Sequence, residues 1–491
     1  DNYNKQEVMI TMRDGIKLHT TIYSPKDTSK KYPILMQRTP YSCQPYGEDQ
    51  FRSKIGPNET MMKEGNIIVY QDVRGRWNSE GIYDNMRAFI PNKKKKEVDE
   101  ASDTYDTIDW LVKNVKNTNK NVGVWGISYP GFYSTYSLLS EHPNLKAVSP
   151  QACIADFFFD DFHHNGAYLL SYWRATALFG YEKDKPTTES WYKFPELNTE
   201  DQYQFFLDAG PLSNLDEYYK EDNVFWQQLK DHPNYDEFWK SRGIIQHLED
   251  IKPATMVVGG WFDAEDLYGP LTTYKTIEKT SNNYNTIVMG PWSHGDWART
   301  KERQAIGNVY FGDNISKFFQ EEIETKFFNH FLKEDGKGSS GLPEAYVYDT
   351  GRNEWETYDV WPPKNIEEKT YSLGQHQSMG EIMTMQYSYE EFVSDPSKPV
   401  PYSEDIKMVF TPRKYMTDDQ RFAARRPDVL VFETPVLEDD MTVIGDIMAK
   451  LKVSTSGTAA DWVVKIIDVF PPDAEDYEET QDYLKMDNYH M

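Results

Sequence analysis

The residues best suited to do chemistry lie in three short segments, Gly126-Ile127-Ser128-Tyr129-Pro130-Gly131, Trp261-Phe262-Asp263-Ala264-Glu265-Asp266 and Gly290-Pro291-Trp292-Ser293-His294. A serine hydroxyl is too weak an acid to attack a carbonyl at neutral pH. It needs an imidazole to take its proton and a carboxylate to fix the imidazole tautomer and balance its charge. Ser128, Asp263 and His294 supply these three groups, and the chemistry they imply is acyl transfer through a covalent acyl-serine. Of the ten histidines, His163 and His164 fall in an aromatic insertion and His142 in a helix-to-strand link, which leaves His294 as the candidate base. A loop histidine in a polar cluster is the alternative reading of that position.

Elements that would position these groups are visible around them. The apolar run Val122-Gly123-Val124-Trp125 leads into the serine segment, and Phe132 to Leu139 follows with helical character, so Ser128 sits at a strand-to-helix turn. Such a nucleophile elbow is tight and needs a small residue two positions before the serine, met by Gly126, and it aims the Tyr129 backbone N–H at the oxyanion. The second glycine of the usual G-x-S-x-G is displaced by one, with Pro130 in its place, and proline is tolerated in the first helical turn. An ordinary glycine turn carrying a serine is the competing reading. Strand-like runs at Ala254 to Gly259 and Thr286 to Met289 run into Asp263 and His294, so both side chains emerge at carboxyl ends of strands, where catalytic groups of open α/β sheets gather.

The rest of the chain fits an α/β fold in several units. Val8 to Met12 and Ile16 to Thr20 alternate about Asp14-Gly15, a hairpin signature. Ile34-Leu35-Met36 and Ile67 to Tyr70 have the length of buried strands, and Asp103 to Val115 has helical spacing, so a parallel sheet of an α/β-hydrolase domain is expected over 1–156 and 251–340. Between them, 157–250 is rich in aromatics and charges and reads as an inserted helical cap. From 341 to 491 the runs Val429 to Phe432 and Trp462 to Ile467 alternate without helices between them, which predicts a C-terminal jelly-roll β-sandwich, incomplete where it stops at Met491. The start at Asp1 is explained equally by a removed export leader or by a trimmed N-terminus.

Composition excludes several classes of function. A formal net charge of -26 over 491 residues opposes nucleic acids and anionic membrane surfaces, and the one dense basic run, Lys93 to Lys96, reads as a solvated loop. No apolar stretch is long enough to span a bilayer. The two cysteines, Cys43 and Cys153, match no metal or redox spacing and read as buried thiols, and the proposed chemistry needs neither metal nor organic cofactor.

Taken together with Arg38-Thr39-Pro40-Tyr41 and Gln71-Asp72-Val73-Arg74-Gly75-Arg76, the three chemical segments resemble the Xaa-Pro dipeptidyl-peptidase-like hydrolases, a group that includes cocaine esterase, α-amino-acid ester hydrolases and glutaryl-cephalosporin acylases. The elbow of that group reads G-x-S-Y-x-G, which accommodates the displaced glycine. The resemblance spans nearly the whole chain, since the group carries a helical cap and a C-terminal jelly roll, matched here by Arg426-Pro427-Asp428-Val429-Leu430. It implies that the Tyr41 hydroxyl is a second oxyanion-hole donor beside the Tyr129 N–H; by itself Tyr41 reads as a core or turn aromatic. Asp263-Ala264-Glu265-Asp266 looks like the D-x-E-D element of the α-amino-acid ester hydrolases. Asp161, with Asp160 as fallback, stands in the place of their third carboxylate.

Crowded carboxylates repel one another and a bound cation relieves that repulsion, so Asp161, Glu265 and Asp266 predict a site for a substrate ammonium. A calcium site and an acidic first turn of the following helix are the alternatives. The expected substrate is therefore a small ester or amide of an α-amino acid, β-lactam side chains included. A related carboxylesterase, a glutaryl-type acylase and an Xaa-Pro dipeptidyl peptidase are alternatives, and a carbohydrate-binding or glycoside-processing protein is a reading from another class, prompted by aromatics and paired carboxylates. The resemblance also implies a homo-oligomer in the periplasm or secreted.

Overall fold

The Asp14-Gly15 turn closes the expected hairpin: β1 (Tyr3–Thr11) and β2 (Lys17–Pro25) pair antiparallel, and Gly15 takes a φ of 95°, a left-handed conformation open to glycine. The hairpin forms one edge of a ten-stranded sheet in the computed structural model, which describes residues 2–299, 301–333, 336–381, 389–407, 413–480 and 485–491. The other strands are β3 (Tyr32–Thr39), β4 (Ile67–Asp72), β5 (Thr118–Ser128), β6 (Leu145–Cys153), β7 (Ala254–Gly260), β8 (Asn285–Gly290), β9 (Ala345–Asp349) and β10 (Glu354–Tyr358). Their spatial order is β1-β2-β4-β3-β5-β6-β7-β8-β9-β10. From β4 to β9 all neighbours are parallel.

Parallel strands are covered on both faces, which is why their sequences read as continuous apolar runs. Ile67, Ile68, Val69 and Tyr70 are all buried, as are Ile34, Leu35 and Met36. Each such aliphatic side chain contributes about 1.5–3 kcal/mol by leaving water, enough for a short run to hold a central strand without help from turn chemistry. Helix α1 (Glu100–Asn114) starts at a capping box in which Asp99 and Ser102 exchange hydrogen bonds, and it lays Ile108 and Leu111 on the sheet. Helix α2 (Tyr129–Ser137) leaves β5 directly and is buried along its whole length.

The insertion is built of short helices, among them Gln202–Ala209, Val224–Asp231 and Glu237–Arg242, started by Asp201, Asn223 and Asp236 side chains that accept backbone N–H bonds. Its aromatic core of Phe157, Phe162, Trp173, Phe179 and Phe225 is continuous with Tyr129 and Tyr133 of α2. The cap therefore packs on the helix that begins at the candidate nucleophile.

The sheet takes two further strands from beyond residue 340: β9 joins β8 in parallel, and β10 pairs antiparallel with β9. Beyond Tyr358, Val429 to Phe432 and Trp462 to Ile467 form no strands, and Val463 and Ile466 are 78% and 66% exposed. Alternation marks where a strand could form, but a strand exists only through backbone hydrogen bonds to a neighbouring strand, and among the described residues these segments make none. Among the described residues no helix is long and apolar enough to cross a membrane.

Candidate active site

Ser128 occupies the elbow in a strained backbone conformation, φ 67° and ψ −128°, of the kind that costs about 1–3 kcal/mol and persists only where surrounding structure imposes it. The two glycines show what imposes it. A Cβ on Gly126 would lie 2.3 Å from the Pro130 carbonyl oxygen, and one on Gly131 would lie 2.5 Å from that of Gln151 in β6. The displaced second glycine is thus set by the close crossing of α2 over β6. Gly131→Ala is expected to lower stability by about 1–3 kcal/mol, because backbone cannot yield as a side chain would; a melting curve checks this, and an unchanged midpoint would reject the packing argument.

Behind the elbow, Tyr129 is locked by its phenol, which donates to Asn85 Oδ1 at 2.8 Å and accepts the Met86 N–H at 2.8 Å. Its own backbone N–H opens α2, where the first turn leaves N–H groups without intrahelical partners. The ring of Tyr41 is 40% exposed, and its hydroxyl lies near Ser128. Burial first and the Asp161 charge second push that phenol well above its ordinary range, so it remains a hydrogen-bond donor. The Tyr41 turn is anchored by Asp72 at the end of β4, whose carboxylate accepts from the Cys43 N–H at 2.8 Å and the Tyr46 hydroxyl at 2.9 Å.

Asp263 and His294 emerge from the carboxyl ends of β7 and β8, as the pattern of strands predicts, and they are paired. His294 Nδ1 lies 2.9 Å from Asp263 Oδ2 and 3.1 Å from Oδ1, and Oδ1 also accepts the N–H groups of Glu265 at 2.9 Å and Asp266 at 3.1 Å. Burial would raise Asp263, but the His294 charge and these donors hold it below its ordinary value. The loop after β8 passes beside the elbow, since a Cβ on Gly295 would sit 3.6 Å from Ile127 Cγ2. The second ring nitrogen, Nε2, faces Glu265 Oε2 at 3.6 Å and makes no hydrogen bond to Ser128.

The acidic residues gather around this pair. Asp161 has a φ of 58°, and burial together with the Glu265 charge pushes its carboxyl up to about 8. Asp266 is fully buried, neither of its oxygens has a hydrogen-bond partner among the described residues, and burial with the charges of Asp161 and Asp160 pushes it well above its ordinary value. For His294 burial acts downward, but Asp263, Glu265 and Asp161 outweigh it and raise the imidazole to about 10. Asp160 is occupied otherwise: Oδ2 accepts the Ala155 N–H at 2.9 Å and Oδ1 the Gly269 N–H at 3.1 Å, tying the root of the insertion to the helix α3 (Tyr268–Thr280). The Asp161 backbone N–H meets the Glu265 carbonyl at 3.4 Å, and the charges of both aspartates bear on Asp266. The first turn of α3 contains no acidic residue, so Glu265 and Asp266 are not its N-terminal acids.

Sequence reasoning missed the support of the histidine loop. Buried Asp296 accepts the Ser293 hydroxyl at 2.6 Å and pairs with Arg299, Lys301 and Arg413, while Arg413 also donates to the His294 carbonyl at 2.7 Å. Arg413 is 119 residues from His294, so no local spacing could signal it. Also missed was the convergence of His19, Cys43 and Asp72, whose donor atoms lie within 4.8 Å of one another under the Tyr41 turn.

A model of the X-Pro dipeptidyl-peptidase (S15) family matches residues 14–296, and one of the X-Pro dipeptidyl-peptidase C-terminal non-catalytic domain matches residues 338–481. Cocaine esterase of Rhodococcus sp. (strain MB1 Bresler) is 27% identical over 504 aligned residues that cover 96% of this chain and 81% of the relative. Among solved structures, an α-amino acid ester hydrolase is similar with a TM-score of 0.80 and 32% identity, over 89% of this chain and 73% of that one. An aminopeptidase from the marine sediment archaeon Thaumarchaeota archaeon matches with a TM-score of 0.80 and 32% identity, over the same shares of the two chains.

Proposed function

Because this chain belongs to the X-Pro dipeptidyl-peptidase (S15) family and is a serine hydrolase of ester or peptide bonds, we propose that it cleaves esters and amides of α-amino acids through an acyl-enzyme on Ser128. His294, oriented by Asp263, takes the Ser128 proton as the hydroxyl attacks the acyl carbon. The Tyr41 hydroxyl and the Tyr129 N–H receive the negative charge that develops on the carbonyl oxygen. His294 returns its proton to the departing alcohol or amine, and water, or an amine such as a β-lactam nucleus, then takes the acyl group. Periplasmic or secreted action as a homo-oligomer belongs to the same reading, by the resemblance alone.

The observation that carries the substrate class is Asp266, a buried carboxyl beside Asp161 and Glu265 with no hydrogen bond to either oxygen among the described residues. Leaving such a group unsatisfied costs about 1–3 kcal/mol or more, and an α-ammonium, with three N–H donors and one positive charge, meets both deficits. The alkyl or aryl remainder of the substrate would meet the aromatic cap. A glutaryl side chain carries the wrong charge for this pocket. The free N-terminus of a peptide carries the right one, so a peptidase role is the second reading.

The test compares phenylglycine methyl ester with its deaminated analogue, methyl phenylacetate. The amino ester is expected to have a kcat/KM at least tenfold higher, and Asp161→Asn to remove most of that preference, on the scale of 1.4 kcal/mol per tenfold. Equal rates for both esters in the unaltered enzyme would rule out the ammonium pocket. Amino-acid p-nitroanilides measured alongside decide between ester and peptide chemistry.

A further inference from the structure

The two nitrogens of His294 have different partners. Nδ1 is committed to Asp263 at 2.9 Å, so Nε2 alone is left to receive the Ser128 proton. Here Nε2 faces Glu265 Oε2 at 3.6 Å, an ion-pair contact. Glu265 is partly exposed, its side chain open at 22%, whereas Asp161 and Asp266 are buried. It is therefore the carboxylate of the cluster that an incoming ligand reaches with least rearrangement.

We infer that Glu265 holds His294 in its protonated, inactive form until a substrate ammonium takes over that carboxylate, so that the cation the pocket selects also releases the base. This rests on the ammonium pocket proposed above and adds a second role for it. Without a cation, the Nε2 proton is stabilised by the facing carboxylate and an imidazolium cannot accept another proton. When the ammonium arrives with its positive charge, the imidazolium gives its Nε2 proton to bulk water. The charge of the site is then unchanged and an Nε2 lone pair is free for the Ser128 hydroxyl.

The charged groups around the ring agree with this balance. From the loop after β7 come Asp263, Glu265 and Asp266, the last with Oδ2 3.8 Å from Nδ1. Asp161 faces the ring from the root of the cap. On the ring's own loop Asp296 is taken up by Arg299, Lys301 and Arg413, and the Arg413 guanidinium sits at the His294 carbonyl. The imidazolium lies within ion-pair distance of Asp263, Glu265 and Asp266, and a second cation weakens its hold. Glu265 acts here through His294 and is a positioning residue.

The experiment measures kcat/KM against pH for the uncharged ester, methyl phenylacetate, in the unaltered enzyme and in Glu265→Gln, with and without methylammonium chloride, using equal sodium chloride as control. Glutamine keeps the shape and the backbone N–H that binds Asp263. Glu265→Gln is expected to be about three- to tenfold faster at neutral pH with its acid limb about one unit lower, since one unit changes the neutral imidazole fraction tenfold on the acid side and a weaker base offsets part of the gain. Methylammonium is expected to accelerate the unaltered enzyme and to leave Glu265→Gln unchanged. A folded Glu265→Gln with an unmoved acid limb overturns the inference. So does an unaltered enzyme indifferent to methylammonium, an arm that does not depend on the variant folding. If the amino-ester preference and its loss in Asp161→Asn are seen while methylammonium is inert, the pocket stands and the release of the base fails; if that preference is absent, the pocket itself fails.

Discussion

Ser128→Ala is expected to lower kcat for an activated ester by about 10^5- to 10^6-fold, the loss seen when a triad nucleophile is deleted. The elbow geometry predicts that the fold survives. The strain at φ 67° comes from the crossing of α2 over β6, which Gly126 and Gly131 permit and which does not involve the Ser128 hydroxyl. A fluorophosphonate should label the unaltered enzyme once per chain and leave Ser128→Ala unmodified, with the melting midpoint nearly unchanged. Turnover retained by a folded, unlabelled variant would assign the nucleophile elsewhere.

Asp263→Asn is expected to cost about 10^4-fold in kcat. The hydrogen bonds give the reason atom by atom. Oδ1 accepts the Glu265 and Asp266 N–H groups, and an asparagine oxygen can keep both. The amide nitrogen then takes the place of Oδ2, 2.9 Å from Nδ1, and presents a donor to it. Nδ1 must become the acceptor, the ring proton moves to Nε2, and the neutral imidazole has no lone pair for Ser128. Loop architecture is preserved while the tautomer is reversed, so kcat should fall with little change in KM for the amino ester. A loss confined to KM would show that Asp263 serves binding rather than the base.

Much of the site could be read from local sequence because strands ending in chemistry leave short, ordered signatures. Gly126, Ser128 and Gly131 reveal the elbow through sterics, and Asp263 and His294 reveal themselves by following apolar runs at the same edge of a parallel sheet. What could not be read depends on contacts without a sequence period. Asp160 and Asp161 are adjacent and chemically identical; only the left-handed backbone at 161 and the two amides captured by 160 separate their duties. The contact of Nε2 with Glu265 is likewise a matter of side-chain direction, which spacing does not encode. Past Tyr358 the alternating segments announced strands, but strand formation depends on partners, and pattern alone cannot supply them.

The carboxylate of Asp160 clasps one amide from each of two segments that are 114 positions apart, Ala155 and Gly269. Gly269 is pressed so close to the Cys153 carbonyl that even a methyl group would collide with it. The inserted aromatic segment is thus riveted to the main domain at its root, so any movement of it has to hinge beyond that clasp.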